Sequence, residues 1–235
     1  MTYEDPFTGE DAPNDLARYI DHTLLAPEAS RADILRLCKE ASAHHFKSVC
    51  VNPVWVETVK KALLGSGVLT CTVVGFPLGT HNTDVKVFEA RGATMDGADE
   101  IDMVINIASA RALDREALVS DISAVAEVVH GEDSILKVII ETALLSDDEK
   151  ILACEAAVEA GADFVKTSTG FSGGGATTQD VALMRKTVGP DIGVKASGGV
   201  RSREQALEMI AAGATRIGTS AGIAIVTGGT GTSNY

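Results

Sequence analysis

The 235-residue sequence is poor in aromatic residues, with one Trp, three Tyr and six Phe, and poor in positive charge, with 20 Lys and Arg against 33 Asp and Glu. The resulting net charge of −13 repels nucleic acid phosphates and anionic membrane surfaces at long range, so neither is an expected partner. No apolar run approaches the roughly 18 residues that a membrane span needs. The acidic opening Met-Thr-Tyr-Glu-Asp-Pro-Phe lacks the basic and apolar layout of a signal peptide, and the expected location is the cytoplasm. Cysteine is scarce and scattered: Cys38, Cys50, Cys71 and Cys154 show no C-x-x-C spacing and read as small buried apolar residues, not as disulfides or zinc ligands. His22 and His81 lack a carboxylate or cysteine at ligand spacing, so no metal site is expected, and His44 with His45 sits where a helix should end, a favourable place for positive charge. A Gly-x-Gly-x-x-Gly after the first strand is also missing, which argues against an open nucleotide-binding sheet.

What the chain does have is a repeated punctuation. Gly97-Ala-Asp99, Gly161-Ala-Asp163, Gly189-Pro-Asp191 and Gly213-Ala-Thr215 each precede an apolar run, as expected where a left-handed glycine stops a helix before a tight turn into a strand. Ser146-x-x-Glu149 and Ser202-x-x-Gln205 fit the capping box, and Ser30-x-x-Asp33 and Thr177-x-x-Asp180 resemble it, each ahead of residues at helical spacing. Strand runs begin near Tyr19, Phe46, Leu69, Glu100, Leu136, Phe164, Ile192 and Arg216. Eight βα units of about 30 residues imply a single-domain α/β fold, a closed (β/α)8 TIM barrel, with an open doubly wound sheet as the alternative. Residues 1–14 are expected as a polar arm, 15–226 as the barrel and 227–235 as a flexible glycine-rich tail ending in Tyr235.

Alternation along the strands selects the chemistry. In Ile101-Asp-Met-Val-Ile-Asn106, Asp102 shares a face with Val104 and Asn106, leaving Ile101, Met103 and Ile105 for the helices. The same parity turns Lys166 inward with Phe164 and Ser168, and Lys195 inward with Gly193 and Ser197. Two ammonium groups about 5 Å apart at an effective dielectric of about 20 repel by about 3 kcal/mol, enough to help one of them release its proton near neutrality. The expected arrangement puts Asp102 nearer to Lys195, so that Lys195 keeps its charge while Lys166 becomes the nucleophile. A neutral lysine attacks an aldehyde or ketone to form an imine, which drains electrons from the adjacent carbon–carbon bond. Lys195 and Asp102 would then move protons.

Other inward positions have plainer uses. Lys137 and Glu141 read as an internal ion pair, and Asp21, on one face with Thr23, as a supporting group or a partner for a substrate hydroxyl. Ser197-Gly-Gly-Val-Arg201 and Gly218-Thr-Ser-Ala-Gly222 fall after strands seven and eight, where this fold frequently binds phosphate; Arg201 would add charge and Ser220 a hydroxyl.

Taken together, Asp21-His-Thr-Leu-Leu25, Val73-Val-Gly-Phe-Pro-Leu-Gly79, Glu100-Ile-Asp-Met-Val-Ile-Asn106, Lys137-Val-Ile-Ile-Glu-Thr142, Phe164-Val-Lys-Thr-Ser-Thr-Gly-Phe171, Val194-Lys-Ala-Ser-Gly-Gly-Val-Arg201 and Arg216-Ile-Gly-Thr-Ser220 resemble the deoxyribose-phosphate aldolase family. The resemblance spans residues 16 to 224. It implies a class I aldolase that splits 2-deoxy-D-ribose 5-phosphate into D-glyceraldehyde 3-phosphate and acetaldehyde in deoxynucleoside breakdown, with no metal or organic cofactor. It further implies Lys166 as the Schiff-base lysine, Asp102 and Lys195 as the proton-transfer pair, substrate contacts from Thr169 and Gly170, and a phosphate site at Gly198, Gly199, Gly218 and Ser220. Some family members carry a lysine where Phe171 stands, so phosphate binding here would lean on backbone N–H groups. A homodimer or larger homo-oligomer is implied as well. The rival expectations are another imine-forming sugar-phosphate aldolase, a metal-dependent aldolase, and a sugar-phosphate-binding barrel without turnover.

Overall fold

The computed structural model describes residues 15–231; the arm expected over residues 1–14 and the terminal Tyr235 lie outside the described residues. Strands β1 (Ile20–Leu24), β2 (Ser48–Val51), β3 (Leu69–Val74), β4 (Glu100–Val104), β5 (Ile135–Ile139), β6 (Phe164–Lys166), β7 (Gly193–Ser197) and β8 (Arg216–Thr219) close in chain order into a barrel, every pair parallel. Around it run α1 (Arg31–His44), α2 (Val56–Ala62), α3 (Thr83–Met95), α4 (Ile107–Arg111), α5 (Arg115–Gly131), α6 (Asp147–Glu159), α7 (Thr178–Val188), α8 (Arg203–Ala211) and α9 (Gly222–Thr227). The expected (β/α)8 barrel is therefore the fold, in one layer of strands and one of helices.

Local signals account for the element ends. Ser30 with Asp33, Ser146 with Glu149 and Ser202 with Gln205 form reciprocal capping boxes at the starts of α1, α6 and α8, whereas Thr177 only accepts from the Asp180 N–H at α7. Gly97, Gly161 and Gly213 take φ of 98°, 86° and 111° just past α3, α6 and α8, a region where an L side chain is strained. Helix α1 does end at His44, and His45 is its left-handed cap at φ 55°.

The main apolar core lies between sheet and helices. Outward residues Ile101 and Met103 of β4, Leu136 and Val138 of β5 and Val194 of β7 pack with Ile122, Val125 and Met184, all buried, and each such side chain stabilises the fold by roughly 1.5–3 kcal/mol. Inside the barrel the apolar cluster is small, Leu25, Cys50, Cys71 and Val73 with Phe76 against it. At the bottom, the Phe164 ring fills the space beside Gly193, where an added Cβ would come within 2.1 Å of it. The segment after α9 is tied back as far as Gly231: Thr230 bridges to Ser202, and the Gly231 N–H donates to the Arg201 carbonyl at 2.9 Å.

Candidate active site

Alternation delivers the predicted charged residues to mid-barrel. Lys166 and Lys195 are register partners on β6 and β7, and Asp102 and Lys137 are partners on β4 and β5. Lys166 Nζ and Lys195 Nζ both donate to Asp102 Oδ2 at 2.8 Å, and Lys137 Nζ donates to Asp102 Oδ1 at 2.8 Å. Lys137 also meets Glu100 Oε2 at 2.6 Å. Lys195 Nζ lies 2.6 Å from Asp21 Oδ2, an ion pair that misses hydrogen-bond alignment. Arg216 Nη1 donates to Asp21 Oδ1 at 2.7 Å and to Glu100 Oε2 at 3.1 Å, its guanidinium 5.3 Å from the Phe164 ring centre. All seven charged groups are at most 3% exposed.

Two expectations are corrected here. Asp102 is not nearer to Lys195, because both ammonium groups converge on one of its oxygens; what separates the two lysines is Asp21, which pairs with Lys195 and with Arg216 but not with Lys166. Lys137 does not pair with Glu141. Strand β5 stops at Ile139 and Glu141 takes φ 57°, ψ 65°, so the two-residue alternation no longer governs where its side chain goes. Glu141 instead accepts from the Thr169 N–H at 3.2 Å, the Thr169 hydroxyl and the Ser172 hydroxyl.

The cluster sets its own charge states. Burial alone would raise Asp102, but Lys137, Lys166 and Lys195 together hold its carboxyl well below the ordinary range. Asp21 is likewise held low against burial by Arg216 and Lys195. Burial would lower Lys195, yet Asp102 and Asp21 hold it well above its usual value, and Lys137 is raised by Asp102 and Glu100 in the same way. Four basic side chains face three acidic ones, and Lys166 has the smallest share: one carboxylate oxygen, itself shared with Lys195.

Above this cluster, the loops after β6, β7 and β8 enclose a groove of about 460 Å³ lined by Gly170, Phe171, Gly173, Gly174, Gly175, Gly198, Gly199, Val200, Arg201, Thr219 and Ser220. Gly198 and Gly199 take φ of 83° and 82°. A Cβ on Gly175 would come within 2.3 Å of the Gly198 carbonyl oxygen and one on Gly174 within 2.3 Å of Ala143 Cβ, so at these two positions nothing larger fits. Gly218 stands lower, beside Asp21 in the β1–β8 register, where a Cβ would come within 2.9 Å of Lys195 Cε; it makes room for the lysine and does not line the groove. Thr169 is buried under the groove, and Arg201 is exposed at its rim.

A profile of the DeoC/LacD family aldolases matches residues 16–228. The chain is 62% identical over 218 residues to the deoxyribose-phosphate aldolase of Micrococcus luteus, covering 90% of this chain and 95% of that protein. It is 59% identical over 213 residues to that of Bacillus subtilis, covering 91% and 95%. A solved structure described as a tetrameric deoxyribose phosphate aldolase from Aeropyrum pernix superposes with a TM-score of 0.86 at 36% identity, covering 92% of this chain and 91% of that one. The chain belongs to the DeoC/LacD aldolases.

Sequence reasoning missed several residues of this DeoC/LacD aldolase site. Glu100 and Arg216 share the inward parity of Asp102 and Gly218, so extending the alternation by two residues finds both. Gly173-Gly-Gly175 was visible as a glycine run. Glu141 was seen as an inward residue, but its true partners Thr169 and Ser172 had no signal, because a left-handed residue beyond a strand end escapes the period. The four cysteines are free and buried as expected, but Cys71 is no inert hydrophobe: its Sγ lies 3.3 Å from Asp102 Oδ1 and 3.4 Å from Lys137 Nζ. Cys50, Cys71 and Asp102 lie close enough to share a metal ion, yet Asp102 already answers three ammonium groups, and a dication there would have to displace Lys137.

Proposed function

We propose that this aldolase reversibly cleaves 2-deoxy-D-ribose 5-phosphate to D-glyceraldehyde 3-phosphate and acetaldehyde through an imine on Lys166. The observation that carries the reading is one carboxylate oxygen holding two lysine amines beneath a glycine-walled groove. Lys166, with the fewest counter-charges, adds to the C1 aldehyde of the open-chain sugar, and loss of water gives the protonated imine. Removal of the C3 hydroxyl proton then breaks the C2–C3 bond, whose electron pair moves to the imine as an enamine while C3 leaves as the aldehyde of glyceraldehyde 3-phosphate. Protonation at C2 and hydrolysis release acetaldehyde and restore Lys166. Lys195 and Asp102 move these protons: the carboxylate, firmly ionised, orients the ammonium, and Lys195 carries the proton, with a water between it and the substrate. Gly170, Gly198, Gly199 and Ser220, with Arg201 at the rim, offer backbone N–H groups, a hydroxyl and a cation for the phosphate, while Thr169 contacts the sugar. Asp21 and Gly218 place Lys195. No metal or organic cofactor enters this scheme.

The test is cleavage of deoxyribose 5-phosphate with EDTA present throughout, together with borohydride trapping of acetaldehyde. We expect turnover and a reduced adduct on Lys166. An adduct elsewhere, or activity that EDTA abolishes, sinks the reading, and preference for another sugar phosphate would make the chain a different imine-forming aldolase.

The chain is further proposed to work as a homo-oligomer in the cytoplasm. Among the described residues no helix is long and apolar enough to cross a membrane, and four unpaired thiols suit a reducing compartment. On the outer side of α3, Val85, Phe88 and Met95 are 44%, 78% and 76% exposed in one row. Asp84 and Arg91, seven apart on the same side, allow a second copy related by a two-fold axis to set each Asp84 opposite the other copy's Arg91. Phe88→Glu should shift the sedimentation of the native enzyme towards the monomer; an unchanged mass would remove α3 as the contact.

A further inference from the structure

Glu141 is fully buried, and none of the ion pairs among the described residues includes it. Its carboxylate is surrounded by donors only: the Thr169 N–H at 3.2 Å from Oε2, the Thr169 hydroxyl, and the Ser172 hydroxyl at 3.1 Å. Its own backbone is fixed to the strand of the nucleophile from both sides. The Ile140 N–H donates to the Lys166 carbonyl at 3.0 Å, and the Thr142 N–H donates to the Thr167 carbonyl at 2.9 Å. Held between them, Glu141 takes the left-handed conformation that a side-chain-bearing residue ordinarily avoids. The Thr169 hydroxyl in turn accepts from the Phe171 N–H at 3.1 Å, which brackets Gly170 at φ 87°. Gly170 then packs on the phosphate side of the site, its Cα 3.6 Å from where a Cβ on Gly198 would stand.

We propose that Glu141 is a positioning residue that ties the phosphate-facing loop Thr169–Ser172 to the strand carrying Lys166, and so sets the span between phosphate and nucleophile. The inference rests on the Schiff-base reading above for its kinetic consequence, but not for its binding consequence. All three donors converge on Oε2, while Oε1 meets only the Thr169 N–H at 3.4 Å; a glutamine in the same place offers a weaker acceptor to the three donors and turns its N–H₂ group towards that N–H. A loop loosened in this way misplaces phosphorylated substrate, and displacement of about 1 Å at a site can cost about a hundredfold. Small aldehydes that never reach the groove should not notice.

The experiment compares wild type with Glu141→Gln, using deoxyribose 5-phosphate, unphosphorylated deoxyribose, and inorganic phosphate titrated by calorimetry. We expect KM for the phosphorylated sugar to rise about tenfold or more and the affinity for inorganic phosphate to fall in parallel, with kcat/KM for deoxyribose, which meets Thr169 but lacks the phosphate, falling clearly less. Borohydride trapping of acetaldehyde on Lys166 should persist. Equal losses on both sugars, or unchanged phosphate affinity, would overturn the proposal. If Glu141→Gln does not fold, Ser172→Ala removes one donor and should still raise the phosphorylated KM about twofold to fivefold; no change there also overturns it. Failure of wild type to form the Lys166 adduct would sink the Schiff-base reading alone, since phosphate titration judges the loop independently.

Discussion

The barrel interior and the groove above it solve opposite problems with opposite materials. Below, four basic and three acidic side chains are packed within ion-pair distance and almost wholly shielded, so neighbours hold Asp21 and Asp102 low and Lys137 and Lys195 high. Above, glycines present backbone alone, and among the groove-lining residues Arg201 is the single cation. Side chains from β1, β4, β5, β6, β7 and β8 can meet at one point because inward positions of a closed barrel converge. On the function proposed above, backbone N–H groups would suit the mouth because a phosphate needs many short contacts and brings its own charge. An acidic protein would then hold an anionic substrate without a basic surface, through a site built from main chain.

The comparison breaks hardest at the nucleophile. Lys166→Ala should lower kcat for deoxyribose 5-phosphate cleavage by roughly ten-thousandfold or more while phosphate binding by calorimetry stays within about twofold; retained turnover would contradict the division of labour. Paired glycine variants sharpen it. Gly218→Ala pushes on Lys195 and should cost about tenfold to a hundredfold in kcat, whereas Gly175→Ala strikes the Gly198 carbonyl and should act mainly on KM for the phosphorylated sugar, by about tenfold. Steady-state kinetics on both, with the same split in each, would erase the distinction.

Asp21→Asn tests what separates the two lysines. Because Asp21 is one of two carboxylates holding Lys195 above its ordinary value, its loss should move the alkaline limb of the pH–rate profile to lower pH. A limb that stays put would mean that Asp102 alone sets Lys195. The smallest effect is on stability. Asp102 and Asp21 are held below their unfolded value near 3.9, so their contribution is fully present above about pH 5 and is lost as pH falls through the acid range; urea midpoints should drop by an amount worth about 1–3 kcal/mol between pH 5 and pH 3. A flat profile there would show that these carboxylates take up protons in the folded protein just as they do in the unfolded chain.

Much of this was written in the chain. Helix starts at Ser30, Ser146 and Ser202 and stops at Gly97, Gly161 and Gly213 are local matters of hydrogen bonding and φ, and they hold wherever the chain goes next. Strand parity gave Asp102, Lys166 and Lys195 as inward residues for the same reason, since alternation is a property of one strand.

Tertiary structure decided the rest, namely which inward group meets which. Whether Asp102 favours one lysine, or Lys137 turns to Glu141 or to Asp102 and Glu100, depends on the shear of the barrel and on where each strand ends, and neither is encoded within any single βα unit. Local sequence therefore fixed the elements and the faces they present, because those follow from short-range hydrogen bonds and sterics. Distances between charges on different strands arose only when the barrel closed, because they depend on all eight units at once.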